Sequence, residues 1–179
     1  HFSSHEKSSM HIISFLSRWI ARITALTLVT APAWALQPPA GEVILTISGK
    51  IGETNRDNVA VFDLEMLQKL PQQTFVTKTP WDKKPTKFTG PLLRDVLAAV
   101  KSSGKTLTAL ALNDYKTTIP AEDANLFDVI VAHKIDDMAI SVRTKGPLFI
   151  IYPFDSKPEL KASKYYGRSA WQLKSIKVE

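Results

Sequence analysis

Trp81 stands in the stretch T-K-T-P-W-D-K-K-P, Thr77 to Pro85, a large apolar ring among prolines, lysines and one aspartate. Such a ring needs something to cover it: the protein's own core, a partner or a flat ligand. Residues of complementary type follow later in the chain. Asn113, Asp114 and Tyr115 share one turn, Tyr152 and Asp155 flank a Pro-Phe pair, and Tyr165, Tyr166 and Arg168 lie in a polar stretch. Aromatic faces stack on a planar ring, while Asn, Asp and Arg pair with the donors and acceptors on its edge. The set suits a planar heterocycle. Each member also has a plainer role open to it: Asn113-Asp114 is a good turn by itself, Tyr152 can point into a core, and Arg168 can be solvated. Trp171 opens a final strand and is expected in the core.

Other chemistries have less to work with. The chain has no cysteine, so it offers no disulfide, no thiolate nucleophile and no thiolate metal ligand. Of its four histidines, His1, His5 and His11 precede the folded part, which leaves His133 in the strand-like run V-I-V-A-H-K-I. Zinc sites draw on several Cys or His ligands, and a Ser-His-Asp arrangement would rest on this one imidazole. The acidic pairs Glu122-Asp123 and Asp136-Asp137 fall in a helix-start turn and a hairpin turn, where they read as turn and cap residues. No Gly-rich phosphate loop occurs. The expectation is therefore a binding domain with no catalytic group and no metal.

The elements that must position these residues can be read from patterning. Residues 1–9 precede Met10 and read as a tag or upstream remnant. From Met10 the chain has a basic region with Arg18 and Arg22, an apolar run from Ile23, and a small-x-small ending at Ala33-Trp34-Ala35. These are the parts of a signal peptide over 10–35, cleaved after Ala35, and the apolar run is too short to span a bilayer. Residues 36–179 then form a single domain, exported to the periplasm and not inserted in the membrane. The formal net charge of +6 is compatible with an anionic ligand but does not demand nucleic acid, and no RNP-like, zinc-finger or basic-helix pattern is present.

Within that domain Val43, Leu45 and Ile47 alternate as a strand. Asp63 caps a short helix with Glu65 in its first turn, Lys69 near its end and Pro71 as its stop. Thr74 to Thr79 is β-prone. F-T-G-P-L-L-R-D-V-L-A-A-V opens a second helix with Pro91 in its first turn, an apolar stripe from Leu92 to Val100, and Gly104 as its close. The remainder reads mainly as strands: L-T-A-L-A-L, Y-K-T-T-I-P, V-I-V-A-H-K-I, A-I-S-V-R-T, G-P-L-F-I-I-Y-P-F and W-Q-L-K-S-I-K-V, with a polar loop from Asp155 to Ser169. The class is α+β, mainly antiparallel or mixed β-sheet with a few short helices.

Taken together, D-L-E-M-L-Q-K-L-P, F-T-G-P-L-L-R-D-V-L and G-P-L-F-I-I-Y-P-F resemble the molybdopterin-binding domain of the sulfite-oxidase superfamily in order and spacing, across most of Val43 to Val178. In enzymes of that family a cysteine after the strand and ahead of the "T-G" helix binds molybdenum. The corresponding stretch here is Val76-Thr77-Lys78-Thr79, without cysteine. The chain is more similar to a short, single-domain branch, some members of which are periplasmic proteins that bind pterins without metal and pass the ligand state to an inner-membrane cyclic-di-GMP enzyme, a diguanylate cyclase or phosphodiesterase. The resemblance implies a pterin pocket with Trp81 as its flat wall, Lys78 and Thr79 beside it, and Asn113, Asp114 or Tyr115 on the pyrimidine edge. Tyr152, Asp155, Tyr166 and Arg168 complete the expected set. The alternative is a molybdopterin-dependent oxidoreductase subunit that lacks the cysteine ligand. A third reading is a domain that serves only protein contacts, marked by a Trp81 buried without a cavity beside it.

Overall fold

Leu45 and Ile47 are fully buried while Thr46 and Ser48 are not, the period-two signature of a strand with one face on the core. This is β1, Leu45–Gly49. The computed structural model describes residues 35–179, so the remnant and the signal peptide read over 1–35 lie outside the described residues save for Ala35. After β2 (Ala60–Phe62) comes α1 (Leu64–Lys69), and Asp63 caps it as its sequence position implies. Its carboxylate accepts the Met66 N–H at 2.8 Å, and its other oxygen accepts those of Ala40 and Gly41, each at 2.8 Å. One side chain thus starts a helix and fastens the lead-in segment to it.

β3 (Gln72–Thr77) and β4 (Thr86–Pro91) pair antiparallel around the Trp81 loop. Here the reading of F-T-G-P as a helix start is corrected: those residues end β4, and α2 runs over Leu93–Ala99. At Gly90, β4 passes so close to β7 (Ile130–Ala132) that any β-carbon would run into the Val131 carbonyl oxygen. That contact needs extended backbone, and α2 begins only where the Leu93 N–H reaches the Val129 carbonyl. The apolar stripe behaves as expected, with Leu93, Val96 and Val100 fully buried. The helix ends at Ala99, before Lys101 at φ 50°, and Gly104 packs instead against the backbone of Glu179.

β5 (Thr106–Ala111) and β6 (Lys116–Pro120) form a hairpin whose turn carries Asn113 and Asp114. Then follow α3 (Asp123–Leu126), β7, β8 (Lys134–Ile135), β9 (Met138–Ala139) and β10 (Phe149–Ile151). The strand expected over A-I-S-V-R-T is only the two residues of β9. Beyond Ile140 the chain folds into a turn in which the Ser141 carbonyl accepts the N–H groups of Thr144 and Gly146. The polar loop after Asp155 is also corrected: it contains two 3₁₀ turns and α4 (Ser163–Arg168) before β11 (Leu173–Val178).

The strands form a five-stranded sheet in the order β2-β1-β11-β5-β6, a four-stranded sheet β3-β4-β8-β9 and a two-stranded pair β10-β7. Among the described residues only β1 and β11 run parallel, and every other strand pair is antiparallel. The architecture is α+β with mixed sheets and short helices. Among the described residues, no helix is long and apolar enough to cross a membrane.

Candidate functional site

The Trp81 loop is built by its own side chains. The Thr79 hydroxyl oxygen accepts the N–H groups of Trp81 (3.3 Å) and Asp82 (3.1 Å), while its O–H donates to Asp82 Oδ2 at 2.8 Å. That closes a turn of the kind that Ser and Thr favour. Lys145 Nζ, from the turn ahead of β10, donates to both Asp82 oxygens at 2.9 and 3.0 Å. Burial works against the Asp82 charge, but the hydrogen bonds from Lys145 and Thr79 outweigh it and hold the carboxyl below its ordinary value.

This clamp sets the indole among four other rings. Trp171 lies at 5.3 Å between centroids with the planes 80° apart, and Tyr166 at 6.2 Å and 72°. Phe149 and Phe154 are at 5.9 and 6.2 Å. These edge-to-face and tilted arrangements suit the ring quadrupoles. Trp81 is half-buried, and it borders a cavity of about 290 Å³ lined by Trp81, Asn113, Tyr115, Tyr166, Ser169 and Trp171, with the backbone at Gly167. The protein's own aromatics thus cover part of the Trp81 ring, and a cavity lies against the rest.

Asn113 and Tyr115 reach the cavity from the β5–β6 turn, where Asn113 Oδ1 accepts the Tyr115 N–H at 3.1 Å. The Asn113 side-chain NH₂ has no acceptor among the described residues. Tyr115 donates its hydroxyl proton to the Gly167 carbonyl at 2.7 Å and so ties the turn to α4. The lining contains no charged side chain. It can therefore stack a flat ring on one aromatic face, enclose it with the edges or faces of the others, and offer it amide and hydroxyl groups.

The other expected site residues sit elsewhere. Tyr152 is fully buried in the core, and its hydroxyl donates to Asp123 Oδ2 at 2.7 Å. Burial first, and the neighbouring Asp123 second, push its phenol far above the ordinary range. Arg168 donates to the same Asp123 oxygen at 2.8 Å, so its charge is neutralised below α4. Asp155 accepts the Lys78 N–H at 2.7 Å and pairs with Lys161 at 2.9 Å, outside the cavity lining. Lys78 meets Asp155 through its backbone, and Thr79 is occupied within the loop. Asp114 holds the turn at φ 64°. Tyr165 is buried against Phe127 and Tyr152.

Trp171, Gly167 and Ser169 join the lining without having been expected there, and Asp82 and Lys145 join as the clamp. T-P-W-D, with Thr and Asp three apart, is the one local signal that would have pointed to the clamp. Nothing local marks Ser169 or Lys145. Among the described residues no group of three or more His, Cys, Asp or Glu side chains is placed to hold a metal ion. Compared with known proteins, the chain matches no family model, and no curated sequence matches it.

Proposed function

We propose that this chain is an exported, non-catalytic pterin-binding protein on a sulfite-oxidase-type fold, signalling its ligand state to an inner-membrane cyclic-di-GMP enzyme. The observation that carries the reading is the cavity of about 290 Å³ beside Trp81, walled by two indoles and two phenols, with Asn113 at its edge. Its size sits just below the roughly 300–1,000 Å³ of pockets for drug-sized molecules and suits a single bicyclic ring. The Trp81 face would stack the pterin, with Trp171 standing nearly perpendicular to it as a side wall, and the Asn113 NH₂ would meet an acceptor on its pyrimidine edge. A pterin of about a dozen heavy atoms reaches useful affinity through such contacts at roughly 0.3–1.5 kcal/mol per atom. The turn that carries Asn113 also carries Leu112 and Tyr115, both exposed, which gives a partner a surface on which to sense occupancy.

The test is a fluorescence titration with reduced and oxidised pterins under anaerobic conditions. Saturable quenching at micromolar ligand, lost in Trp81→Ala, is the expected outcome. No response to any pterin would remove the reading. Stoichiometric molybdenum in protein from its native compartment would instead favour the molybdopterin-dependent oxidoreductase.

A further inference from the structure

The outer edge of β3 is an open hydrogen-bonding surface with an unusual composition. In the four-stranded sheet β3 is terminal, bonded only to β4. The carbonyls of Lys87 and Thr89 accept from Asp136 and His133, so these residues direct their backbone toward β8 and the hairpin beyond it. By the alternation of an antiparallel ladder, Thr86, Phe88 and Gly90 face β3 and meet Thr77, Phe75 and Gln73. Gln72, Thr74 and Val76 must then present their N–H and C=O groups outward. Lys78, next in that series, obeys the same rule: its N–H is taken by Asp155 Oδ2 rather than by β4. No backbone partner exists among the described residues for the outward groups of Gln72, Thr74 and Val76.

Exposed edges are ordinarily protected by charge, proline, a bulge or a covering element. Q-Q-T-F-V-T has neither charge nor proline, and Val76 is 58% exposed. The remaining edges offer less: β9 has two residues, β2 three, β7 and β10 three buried residues each, and β6 is packed by α4. The open stretch is also bounded, because Leu70, the preceding residue of the outward series, caps α1 and the N–H of Lys78 is already bonded.

We propose that this edge pairs with the same edge of a second copy of the chain, β3 against β3, antiparallel about a two-fold axis at Thr74. In that register Thr74 faces Thr74 of the second copy, and Gln72 faces Val76 on either side. All of these are outward-facing residues, so each opposed pair exchanges two hydrogen bonds, about six in all. No like charges meet, and Lys78 falls opposite Leu70. The contact closes on itself, giving a dimer and not a filament. Because β3 runs directly into the Trp81 loop, the dimer also steadies one wall of the cavity. The ladder is short, so the association is weak and concentration-dependent.

Sedimentation velocity across the micromolar range tests this, together with two variants. Thr74→Pro deletes the central outward N–H at an edge position that tolerates proline, and Thr74→Lys sets like charges face to face. The expected result is a monomer–dimer equilibrium in the parent chain and loss of the dimer in both variants, with unchanged far-ultraviolet circular dichroism. Since the chain has no cysteine, Thr74→Cys should crosslink to a disulfide dimer, while Leu126→Cys, exposed on α3, should not. A monomer at every concentration, a dimer that survives both Thr74 variants, or equal crosslinking at Leu126 would each overturn the proposal.

Discussion

Asp123 gives one carboxylate oxygen to both the Tyr152 hydroxyl and the Arg168 guanidinium, with its own side chain 6% exposed. A buried carboxylate needs both donors, and that need holds Tyr152 and Arg168 away from the cavity. Asp123→Ala should cost about 3 kcal/mol, the usual scale for stranding a buried partner, and a thermal melt would show it. At the cavity itself, two substitutions separate binding from folding. Trp81→Ala should weaken pterin binding at least tenfold and also lower stability by about 1–3 kcal/mol, because four rings lose a neighbour. Asn113→Ala should weaken binding with little change in melting temperature, since its exposed turn holds only the Tyr115 N–H. Equal affinities in the Asn113 variant and the parent would place the ligand edge elsewhere. Residue type picks out Trp81, Asn113, Tyr115 and Tyr166, which share this cavity. It cannot separate them from Tyr152 or Arg168, because a tyrosine after an apolar run reads alike whether its hydroxyl meets a ligand or a buried aspartate. The difference lies in Asp123, which is distant in sequence from both.

Among the elements, α1 was the most legible, because every signal for it is local. Asp63, Glu65, Lys69 and Pro71 fall at cap, first turn, last turn and stop. Asp63→Ala should cost about 1–2 kcal/mol, at the upper end for a cap, since the N–H groups of Ala40 and Gly41 lose their acceptor too. The start of α2 was not legible. Pro91 ahead of an apolar stripe reads as a first helical turn, and only the close approach of β7 at Gly90 makes F-T-G-P a strand. The far end of α1 has its own tie. Gln72 gives its side-chain NH₂ to the carbonyls of Leu67 and Leu70, which leaves its oxygen to accept from His133 at 2.7 Å. That fixes the imidazole as the tautomer with its proton on Nε2. Burial first, then Lys134, lowers the affinity of His133 for a second proton. The unfolded chain therefore binds that proton more readily, and stability should begin to fall as pH drops through the ordinary histidine value of 6.5. Urea melts at pH 7 and pH 5.5 should differ in the parent, and the difference should vanish in His133→Gln. A difference that persists would assign it to other groups.

For the whole molecule, acid stability has a second and lower window. Hydrogen bonds from backbone N–H groups hold Asp63 below its ordinary value of 3.8, as do Lys161 and the Lys78 N–H for Asp155. Groups lowered in the folded state contribute stability that is present above 3.8 and lost as pH falls toward their folded values. The class of fold was legible, since strand periodicity is local, but the order of strands was not, because pairing partners lie far apart in the chain. The parallel pair of β1 with β11 is the clearest case: nearly all of the described chain separates Thr46 from its partner Ser175. That pair has a consequence in time. The strand at the centre of the five-stranded sheet, β11, is synthesised after every other described strand. Until it arrives, β1 and β5 have no neighbour to join them, and the largest sheet cannot close. The β5–β6 hairpin and the four-stranded sheet need no such wait, so the largest sheet is the part of the described fold that closes late.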